Sequence, residues 1–360
     1  MRYDIWLSLI LGPCNHKLIS ILESFGGFKG AYELKDTLEF KSMLTKGELL
    51  KLEKVKTSDV ERIADYCEKS GVYILNIEDD LYPENLLKTK IPPAVLYVTG
   101  DVKVLNSDVI VAGVGTRNST QYGRDAVRLI CEPLAKSGIV LVSGMAYGID
   151  SEVHMASLRN DKKTIAVMGT GIDRTYPARH GQLRQRIEKT GAVISEYPPF
   201  FETSPYLFPV RNRLISGLAV ATIIFEAEKR SGTMSTAGWA LDDGREVFAV
   251  PGGIMSPKSE GTNILIKQGA HPALSALDIL NVLGMEACES EFPANMPNSR
   301  IADLSKKERV IYDILSKGEA DMDYISEKTG MLTGELLSVL GILEIENIVM
   351  SLPGNRYRLR

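Results

Sequence analysis

The chain has 360 residues, of which 44% are hydrophobic and 24% charged, a composition typical of globular proteins and not of collagen-like, mucin-like or wholly disordered chains. At roughly 100 to 200 residues per domain, this length predicts two or three domains. Because 46 acidic residues outnumber 42 Lys and Arg, the net charge of −4 excludes a globally basic nucleic-acid coat, and any site for a polyanion must be a local patch.

The cysteines and the apolar segments exclude further classes of protein. Cys14, Cys67, Cys131 and Cys288 are far apart and form no Cys-x-x-Cys pair, which argues against a disulfide framework and a zinc site. No apolar run approaches the roughly 18 residues of a membrane span, and the short run at 5–11 follows an acid, unlike a signal peptide. We therefore expect a soluble cytoplasmic protein with reduced cysteines, no membrane contact, no metal and no cofactor.

Residues 1–70 are predicted to form a helical domain. Apolar residues recur at helical spacing throughout this segment, and no β alternation is present. The glycine-bearing turns at 11–13 and 25–28 are faintly similar to those of SAM-like and helix-hairpin-helix modules, whose backbone N–H groups can bind phosphates. A helical scaffold without DNA contacts explains the same pattern and is the favoured interpretation, because the basic residues of the segment are balanced by acids.

Residues 71–287 are predicted to form a Rossmann-like domain with a doubly wound, mostly parallel sheet. Short runs rich in β-branched residues alternate here with helical segments, and such runs suit strands that are buried on both faces. The predicted strands are 72–75, 94–98, 109–114, 139–142, 164–168, 192–195, 221–225 and 246–250. The predicted helices are 120–137, 148–160, 180–190, 212–218 and 233–243.

The C-terminal part is predicted to be a winged helix attached by a linker. Residues 288–300 contain two prolines and no periodicity, which indicates the linker. Residues 301–360 hold three predicted helices, 306–315, 322–329 and 333–346, followed by a hairpin. The third helix of such a domain normally reads duplex DNA, but here it carries Glu residues and no Lys or Arg. A protein-contact or regulatory role is therefore favoured over sequence-specific reading of DNA.

The turn after strand 109–114 contains Gly115, Thr116 and Arg117, at the place where the strand-to-helix turn of a doubly wound fold binds phosphate. Asn118 stands where the dinucleotide fingerprint needs its third glycine. Arg117 would crowd a pyrophosphate but suits an exposed phosphodiester. A tight turn with a purely structural role is the alternative, and no Walker A sequence is present.

A second turn follows strand 139–142 and consists of small or flexible residues. These residues are Ser143, Gly144, Met145 and Ala146. Because small residues leave room at the backbone, a ligand can approach this turn closely. The turn is therefore a second candidate for contact with nucleic acid.

Asp150 and His154 are four residues apart and are the pair that best suits a metal or acid-base site. No third ligand accompanies them in the sequence, so Asp150 is expected to cap a helix with His154 packed behind it. The sequence thus predicts no metal ligand and no catalytic residue.

Two later segments combine cations, hydroxyl groups and the start of a helix. They contain Arg211, Asn212 and Arg213, and then Lys229, Arg230, Ser231, Gly232 and Thr233. Because the turns of a parallel sheet emerge at the same carboxyl edge, the cations of both segments and Arg117 are predicted to line one rim and neutralise successive phosphates of a single strand. No nucleophile with a base, and no carboxylate pair with suitable spacing, accompanies them, which predicts binding without catalysis.

Together these motifs resemble the DNA-processing protein A (DprA/Smf) family over essentially the whole chain. The resemblance is carried by residues 115–117, 143–150, 164–171, 176–177, 208–213, 226–237, 244–252 and 261–263, with His154 and residues 269–270. His180 stands where the family usually has Asn.

The resemblance implies a cytosolic bacterial protein that binds single-stranded DNA, forms a homodimer, protects incoming strands and loads the RecA recombinase onto them during natural transformation. It implies no catalysis. Arg117 and its turn would hold backbone phosphates, and residues 143–146, 211–213 and 231–233 would form the rest of the cleft.

Two other functions remain open from the sequence. The first is a nucleotide phosphoribohydrolase of the lysine-decarboxylase-like type, which uses a Pro-Gly-Gly-x-Gly-Thr turn. The chain has Pro251, Gly252 and Gly253, but the next Gly-Thr pair begins eight residues later, at Gly261, which breaks this phosphate loop. The second is a winged-helix transcription factor, for which residues 301–360 should bind duplex DNA tightly.

Overall fold

The computed structural model describes residues 1–285, 304–345, 348–352 and 354–359. The chain divides into two compact units, Met1–Glu291 and Phe292–Arg360. The predicted linker 288–300 lies outside the described residues. The finer boundary near residue 70 stays a prediction.

The N-terminal segment is helical, as predicted. Its helices are α1 (Tyr3–Leu11), α2 (Leu18–Phe25), α3 (Gly27–Glu33), α4 (Leu38–Met43), α5 (Lys46–Lys54) and α6 (Thr57–Lys69). Local sequence explains two of their ends. Thr45 and Glu48 form a capping box at the start of α5, and Gly26 ends α2 in the left-handed conformation that glycine adopts without strain. Trp6 packs edge-on against Tyr32 with ring centroids 5.0 Å apart, within the core of this helical segment.

The sheet of the first unit has nine strands in the described part of the chain, in the order β1-β2-β6-β5-β4-β3-β7-β8-β9. They are β1 (Tyr73–Asn76), β2 (Val95–Gly100), β3 (Ile110–Val114), β4 (Val140–Ser143), β5 (Thr164–Met168), β6 (Ala192–Ser195), β7 (Ala221–Ile224), β8 (Glu246–Ala249) and β9 (His271–Pro272). The pairs β1–β2 and β2–β6 are antiparallel, and the other neighbours are parallel. The eight predicted strands are all present, and β9 is an addition.

Helices follow the strands on both faces of the sheet. They are α7 (Glu84–Leu87), α8 (Gln121–Lys136), α9 (Ile149–Leu158), α10 (Gly181–Thr190), α11 (Leu207–Leu218), α12 (Gly232–Asp242), α13 (Pro257–Lys267) and α14 (Ala276–Val282). Alternate strand residues belong to different cores: Tyr97 and Ala166 join the core of the N-terminal helices, whereas Leu96 and Ile165 join the core on the opposite face. The mostly parallel sheet buried on both faces confirms the predicted Rossmann-like architecture.

One predicted boundary is wrong in a way that matters for the site. Helix α11 begins at Leu207, not at Asn212. Arg211 and Arg213 therefore lie on successive faces of a helix and not in an open turn, so their side chains point in different directions.

The second unit is a winged helix, as predicted. Its helices are Lys306–Leu315, Met322–Thr329 and Thr333–Ile345, and its strands β10 (Ala320–Asp321), β11 (Val349–Leu352) and β12 (Arg356–Leu359) pair in the order β10-β12-β11. Ile311, Ile325 and Leu336 are fully buried in its core. Across the described residues of both units, no helix is long and apolar enough to cross a membrane.

Candidate nucleic-acid interface

A cleft of about 430 Å³ lies at the carboxyl edge of the parallel sheet, beside the turns that follow β3, β4 and β7. These three strands are neighbours, with β3 paired to β4 on one side and to β7 on the other. The sheet order therefore brings together segments that are far apart in the sequence, as expected for a doubly wound fold. The predicted site residues that line the cleft are Gly115, Thr116, Arg117, Ala146, Arg211, Asn212, Ser231, Gly232 and Thr233.

The turn after β3 is held tightly by the backbone around it. The N–H of Thr116 donates to the carbonyl of Glu226 at 2.8 Å, and the carbonyl of Thr116 accepts from the N–H of Ile149 at 3.2 Å. A Cβ atom at Gly115 would lie 2.6 Å from Ile149 Cγ1, so only glycine fits between the turn and α9. The turn is therefore a fixed platform for the next residue, Arg117.

Arg117 presents an exposed cation at the mouth of the cleft. Its guanidinium carbon lies 5.5 Å from the centroid of the Phe208 ring, a cation–π contact. Phe208 in turn packs against the exposed ring of Tyr176 at 4.9 Å. The result is an aromatic surface beside a charge that is available to an external anion.

The turn after β4 is buried more deeply than its sequence indicates. Ser143 and Met145 are completely buried, and the Ser143 hydroxyl donates to the carbonyl of Gly113 at 2.7 Å. Gly144 is also buried, whereas Ala146 reaches the cleft. In this turn Ala146 alone of the four predicted contact residues lines the cleft, and the other three support it from behind.

Arg211 lines the cleft but is only 3% exposed. Its guanidinium donates to the carbonyl of Gly144 at 2.8 Å and to that of Val167, which ties together the ends of β4 and β5. Burial lowers its pKa to about 10, opposed by the charge of Asp150. Burial likewise raises the pKa of Asp150, and Arg211 opposes that shift. The two groups offset each other, so Arg211 contributes little net charge to a ligand in the cleft.

Arg213 faces away from the cleft. Its guanidinium donates to the carbonyl of Ile91 at 3.0 Å and to Glu196 Oε1 at 2.5 Å, and it is 3% exposed. Asn212, on the adjoining face of α11, donates to the carbonyl of Gly232 at 3.2 Å and thereby joins α11 to the start of α12. The predicted common rim of Arg117, Arg211 and Arg213 thus divides into one exposed cation and two buried ones.

The start of α12 supplies the opposite wall of the cleft. Ser231 precedes the helix, and its hydroxyl is buried with no hydrogen-bond partner among the described residues. The exposed Lys229 and Arg230 precede it in the same turn, although neither lines the cleft itself. A helix N-terminus with free N–H groups, a free hydroxyl and neighbouring cations is suited to an anion.

Asp150 and His154 do not form a metal site. Gly148, not Asp150, is the N-cap of α9, because Asp150 already lies in its first turn. The His154 Nδ1 shares a hydrogen bond with the Thr164 hydroxyl at 2.8 Å, and complete burial lowers the pKa of His154 to about 3. Within the described residues, no group of three His, Cys, Asp or Glu could hold a metal ion.

The sequence analysis missed three contributors to the site. Phe208 and Tyr176 form the aromatic surface beside Arg117, and Glu226 caps α8 through Thr120. All three lie inside recognised motifs, but nothing in the motifs specified their neighbours. His180 has a positioning contact, since its Nδ1 lies 2.9 Å from the carbonyl of Met145.

Comparison with protein families and with characterised proteins gives consistent matches. A family model described as DNA recombination-mediator protein A matches residues 73–284, and one described as the DprA winged helix domain matches residues 295–355. The chain is 35% identical to Protein Smf of Escherichia coli, covering 84% of this chain and 81% of that protein. It is 39% identical to the DNA processing protein DprA of Bacillus subtilis, covering 61% of this chain and 74% of that protein.

Two solved structures are similar as well. The DNA processing protein A of Streptococcus pneumoniae is 30% identical with a TM-score of 0.67, and the match covers 78% of this chain and 98% of that chain. The DNA processing protein A of Helicobacter pylori, described for its single-stranded DNA binding mode, is 32% identical with a TM-score of 0.54, covering 59% of this chain and 95% of that chain.

Proposed function

The chain belongs to the DNA-processing protein A (DprA/Smf) family, and on that premise we propose that it binds single-stranded DNA in the cleft at the carboxyl edge of its parallel sheet. In this proposal the protein acts by binding and not by catalysis.

The arrangement of Arg117 over Phe208, with Tyr176 beside it, carries this proposal. A single strand offers phosphates and unstacked bases next to each other, and an exposed cation beside the half-buried ring of Phe208 and the exposed ring of Tyr176 is suited to both. Duplex DNA keeps its bases stacked inside and cannot use the rings. The aromatic surface therefore favours a single strand.

A second phosphate position is proposed at the start of α12. The Ser231 hydroxyl has no partner among the described residues, and Thr233 lines the same wall. Together with the N–H groups of the first turn of α12, these hydroxyls would donate to a phosphate. Lys229 and Arg230 would add attraction from the edge of the cleft.

The fifteen residues predicted for DNA contact are accordingly proposed in two roles. Direct contact is assigned to Gly115, Thr116, Arg117, Ala146, Asn212, Lys229, Arg230, Ser231, Gly232 and Thr233. A positioning role is assigned to five buried residues, of which Arg211 alone lines the cleft: Ser143, Gly144, Met145, Arg211 and Arg213.

The wider role is proposed from the family. In this proposal the protein protects incoming strands and loads the RecA recombinase onto them during natural transformation. It acts in the cytoplasm and forms a homodimer. One surface supports self-association: Leu274 and Leu277 are 63% and 38% exposed beside the edge strand β9. Exposed apolar side chains next to a sheet edge are suited to contact with a second copy.

The proposal is tested by fluorescence anisotropy of a labelled oligothymidine titrated with the full chain across salt concentrations. Arg117→Ala should weaken binding about tenfold and reduce the magnitude of the salt slope by about 0.7, since one phosphate contact is lost. Arg62→Ala is the matched control, because Arg62 also lies over an aromatic ring, 4.2 Å from the Phe200 centroid, but among the N-terminal helices. If Arg117→Ala binds oligothymidine with wild-type affinity and a wild-type salt slope, the cleft is not the DNA-binding site.

A further inference from the structure

Glu226 occupies the N-terminal end of α8, the position where a Rossmann-like fold ordinarily holds a ligand phosphate. Its Oε2 accepts from the N–H of Thr120 at 2.9 Å, and its Oε1 accepts from the Thr120 hydroxyl at 2.5 Å. The residue is 2% exposed. A carboxylate in this place supplies what a phosphate would supply, namely negative charge at the positive end of the helix and acceptors for its free donors.

The carboxylate also fills the space that a phosphate would need. A Cβ atom at Gly123, in the first turn of α8, would lie 2.4 Å from Glu226 Oε2 and 2.5 Å from its Cδ. Glycine is thus required at position 123 by the carboxylate itself. An external phosphate has no room there while Glu226 is in place.

The same residue fastens the turn that carries Arg117. The backbone carbonyl of Glu226 accepts from Thr116 N–H at 2.8 Å, while its side chain holds Thr120 at the other end of the turn. On the far side the turn is closed by α9, since a Cβ at Gly148 would lie 2.4 Å from the Thr116 carbonyl oxygen. Residues 116–120 are therefore held at both ends by Glu226.

We propose that Glu226 is a built-in substitute for a phosphate, which closes the nucleotide position of the Rossmann-like fold and holds the Arg117 turn in the conformation that receives a DNA backbone. The second half of this inference rests on the proposed function of the cleft. Phosphates are then bound only further out, at Arg117 and α12. Glu226 is in this way a positioning and specificity-determining residue, selecting a polymer backbone over a free nucleotide.

The first test compares Glu226→Ala and Glu226→Gln in the full chain, using oligothymidine anisotropy and thermal unfolding with and without millimolar inorganic phosphate. Glu226→Ala should bind oligothymidine about tenfold more weakly, because the turn spends less time in its binding conformation. Its melting temperature should rise more in phosphate than that of the wild type, because it gains a phosphate position in addition to those at Arg117 and α12 that both proteins share. Glu226→Gln, which can still accept from Thr120 N–H, should bind closer to the wild type.

Glu48→Ala is the matched control. Glu48 accepts from the N–H and the hydroxyl of Thr45 at 2.7 and 2.8 Å, the same pair of bonds that Glu226 makes with Thr120, but at the start of α5. This variant should unfold at a lower temperature, yet bind oligothymidine normally and respond to phosphate no more than the wild type does. The comparison separates loss of a helix cap from loss of the proposed phosphate substitute.

A double-mutant cycle tests the packing independently of DNA. Gly123→Ala should destabilise the wild type, because its new methyl group displaces the carboxylate. In the Glu226→Ala background the same substitution should be neutral or stabilising, since alanine is a better helix former than glycine. Equal effects in both backgrounds would overturn the claim that Glu226 fills this space.

The outcomes distinguish this inference from the proposed function. If Arg117→Ala weakens DNA binding but Glu226→Ala does not, the positioning role is refuted and the DNA-binding cleft stands. If neither substitution matters, the proposed function fails, and the phosphate response and the cycle still decide whether Glu226 closes the nucleotide position. If Glu226→Ala does not fold, DNA binding is measured on Gly123→Ala, whose methyl group displaces the same carboxylate. Unchanged affinity of Gly123→Ala for oligothymidine would count against the proposal.

Discussion

Arg213 was predicted to contact DNA, but its position leads to a different expectation, that it stabilises the fold. The pair Arg213–Glu196 is buried, with the Arg213 and Glu196 side chains 3% and 8% exposed. Replacing Arg213 by Met removes the donors to Ile91 and to Glu196, and leaves Glu196 Oε1 with a single long bond, 3.4 Å from Cys14 N. Because an uncompensated buried charge costs about 3 to 5 kcal/mol, the melting temperature of the full chain should fall by about 10 °C.

The pH dependence of the stability that Arg213→Met loses identifies the cause of the loss. Burial raises the pKa of Glu196, and the charge of Arg213 opposes the rise, so Arg213→Met should raise the pKa further. A carboxyl group whose pKa is higher in the folded state binds more protons there than in the unfolded state, and stability then increases as pH falls. The deficit of Arg213→Met relative to wild type should therefore be smaller at pH 5 than at pH 7.

Calorimetry at the two pH values, together with oligothymidine anisotropy at a temperature where the variant is folded, checks both halves of this reasoning. The double variant Arg213→Met with Glu196→Gln removes both charges and should recover part of the lost stability. The salt slope of DNA binding should be unchanged, since Arg213 faces away from the cleft. A normal melting temperature with a reduced salt slope would refute the structural role and restore Arg213 as a phosphate contact.

Three further expectations follow from the structure. Gly144→Ala should destabilise by about 2 kcal/mol in urea unfolding, because its Cβ would lie 2.6 Å from Arg211 Nη1, whereas Gly253→Ala, with nothing within 4 Å, should be neutral. Because burial lowers the pKa of His154 to about 3, the unfolded state binds the extra proton, and stability should fall as pH drops below about 6.5; His154→Gln should reduce this dependence in the same assay. Arg356→Ala, which breaks the contact with Glu319, should leave the preference for oligothymidine over its duplex unchanged in anisotropy titrations. A changed preference would indicate that the winged helix reads duplex DNA.

The strands of the sheet could be predicted from the sequence, but the direction in which single side chains point could not. The strands were predictable because parallel strands buried on both faces give continuous apolar runs, such as 110–114 and 164–168. The start of α11 was not, because Pro209 interrupts the helical pattern in its first turn, where proline is tolerated. Since that helix begins five residues early, Arg213 is turned away from the rim on which the sequence placed it, and Arg211 is buried in the cleft wall.

Contacts between residues far apart in the chain are the other feature that could not be predicted from the sequence. Glu226 is 106 residues from Thr120 in the chain, and Phe208 lies on α11, whereas Arg117, which it contacts, lies in the turn after β3. No local sequence pattern indicates which residues form such long-range pairs. Burial of Ser143 has the same origin, because its hydroxyl is satisfied by Gly113 on the neighbouring strand. The motifs therefore indicated candidate residues at the sheet edge where the cleft lies, without specifying which side chains line it.

The exposed charges of the cleft set how steeply the proposed binding by one copy depends on salt. Arg211 and Asp150 are buried and offset each other, which leaves Arg117 in the lining, opposed by the exposed Glu228, and Lys229 and Arg230 on the next turn. Three exposed cations neutralise about three phosphates, which corresponds to a salt slope near −2 for a single strand. So short a contact is weak at physiological salt. Two clefts joined in the proposed homodimer would bind one strand with the second contact made intramolecularly, and the affinity would then depend on dimer formation more than on any single phosphate contact.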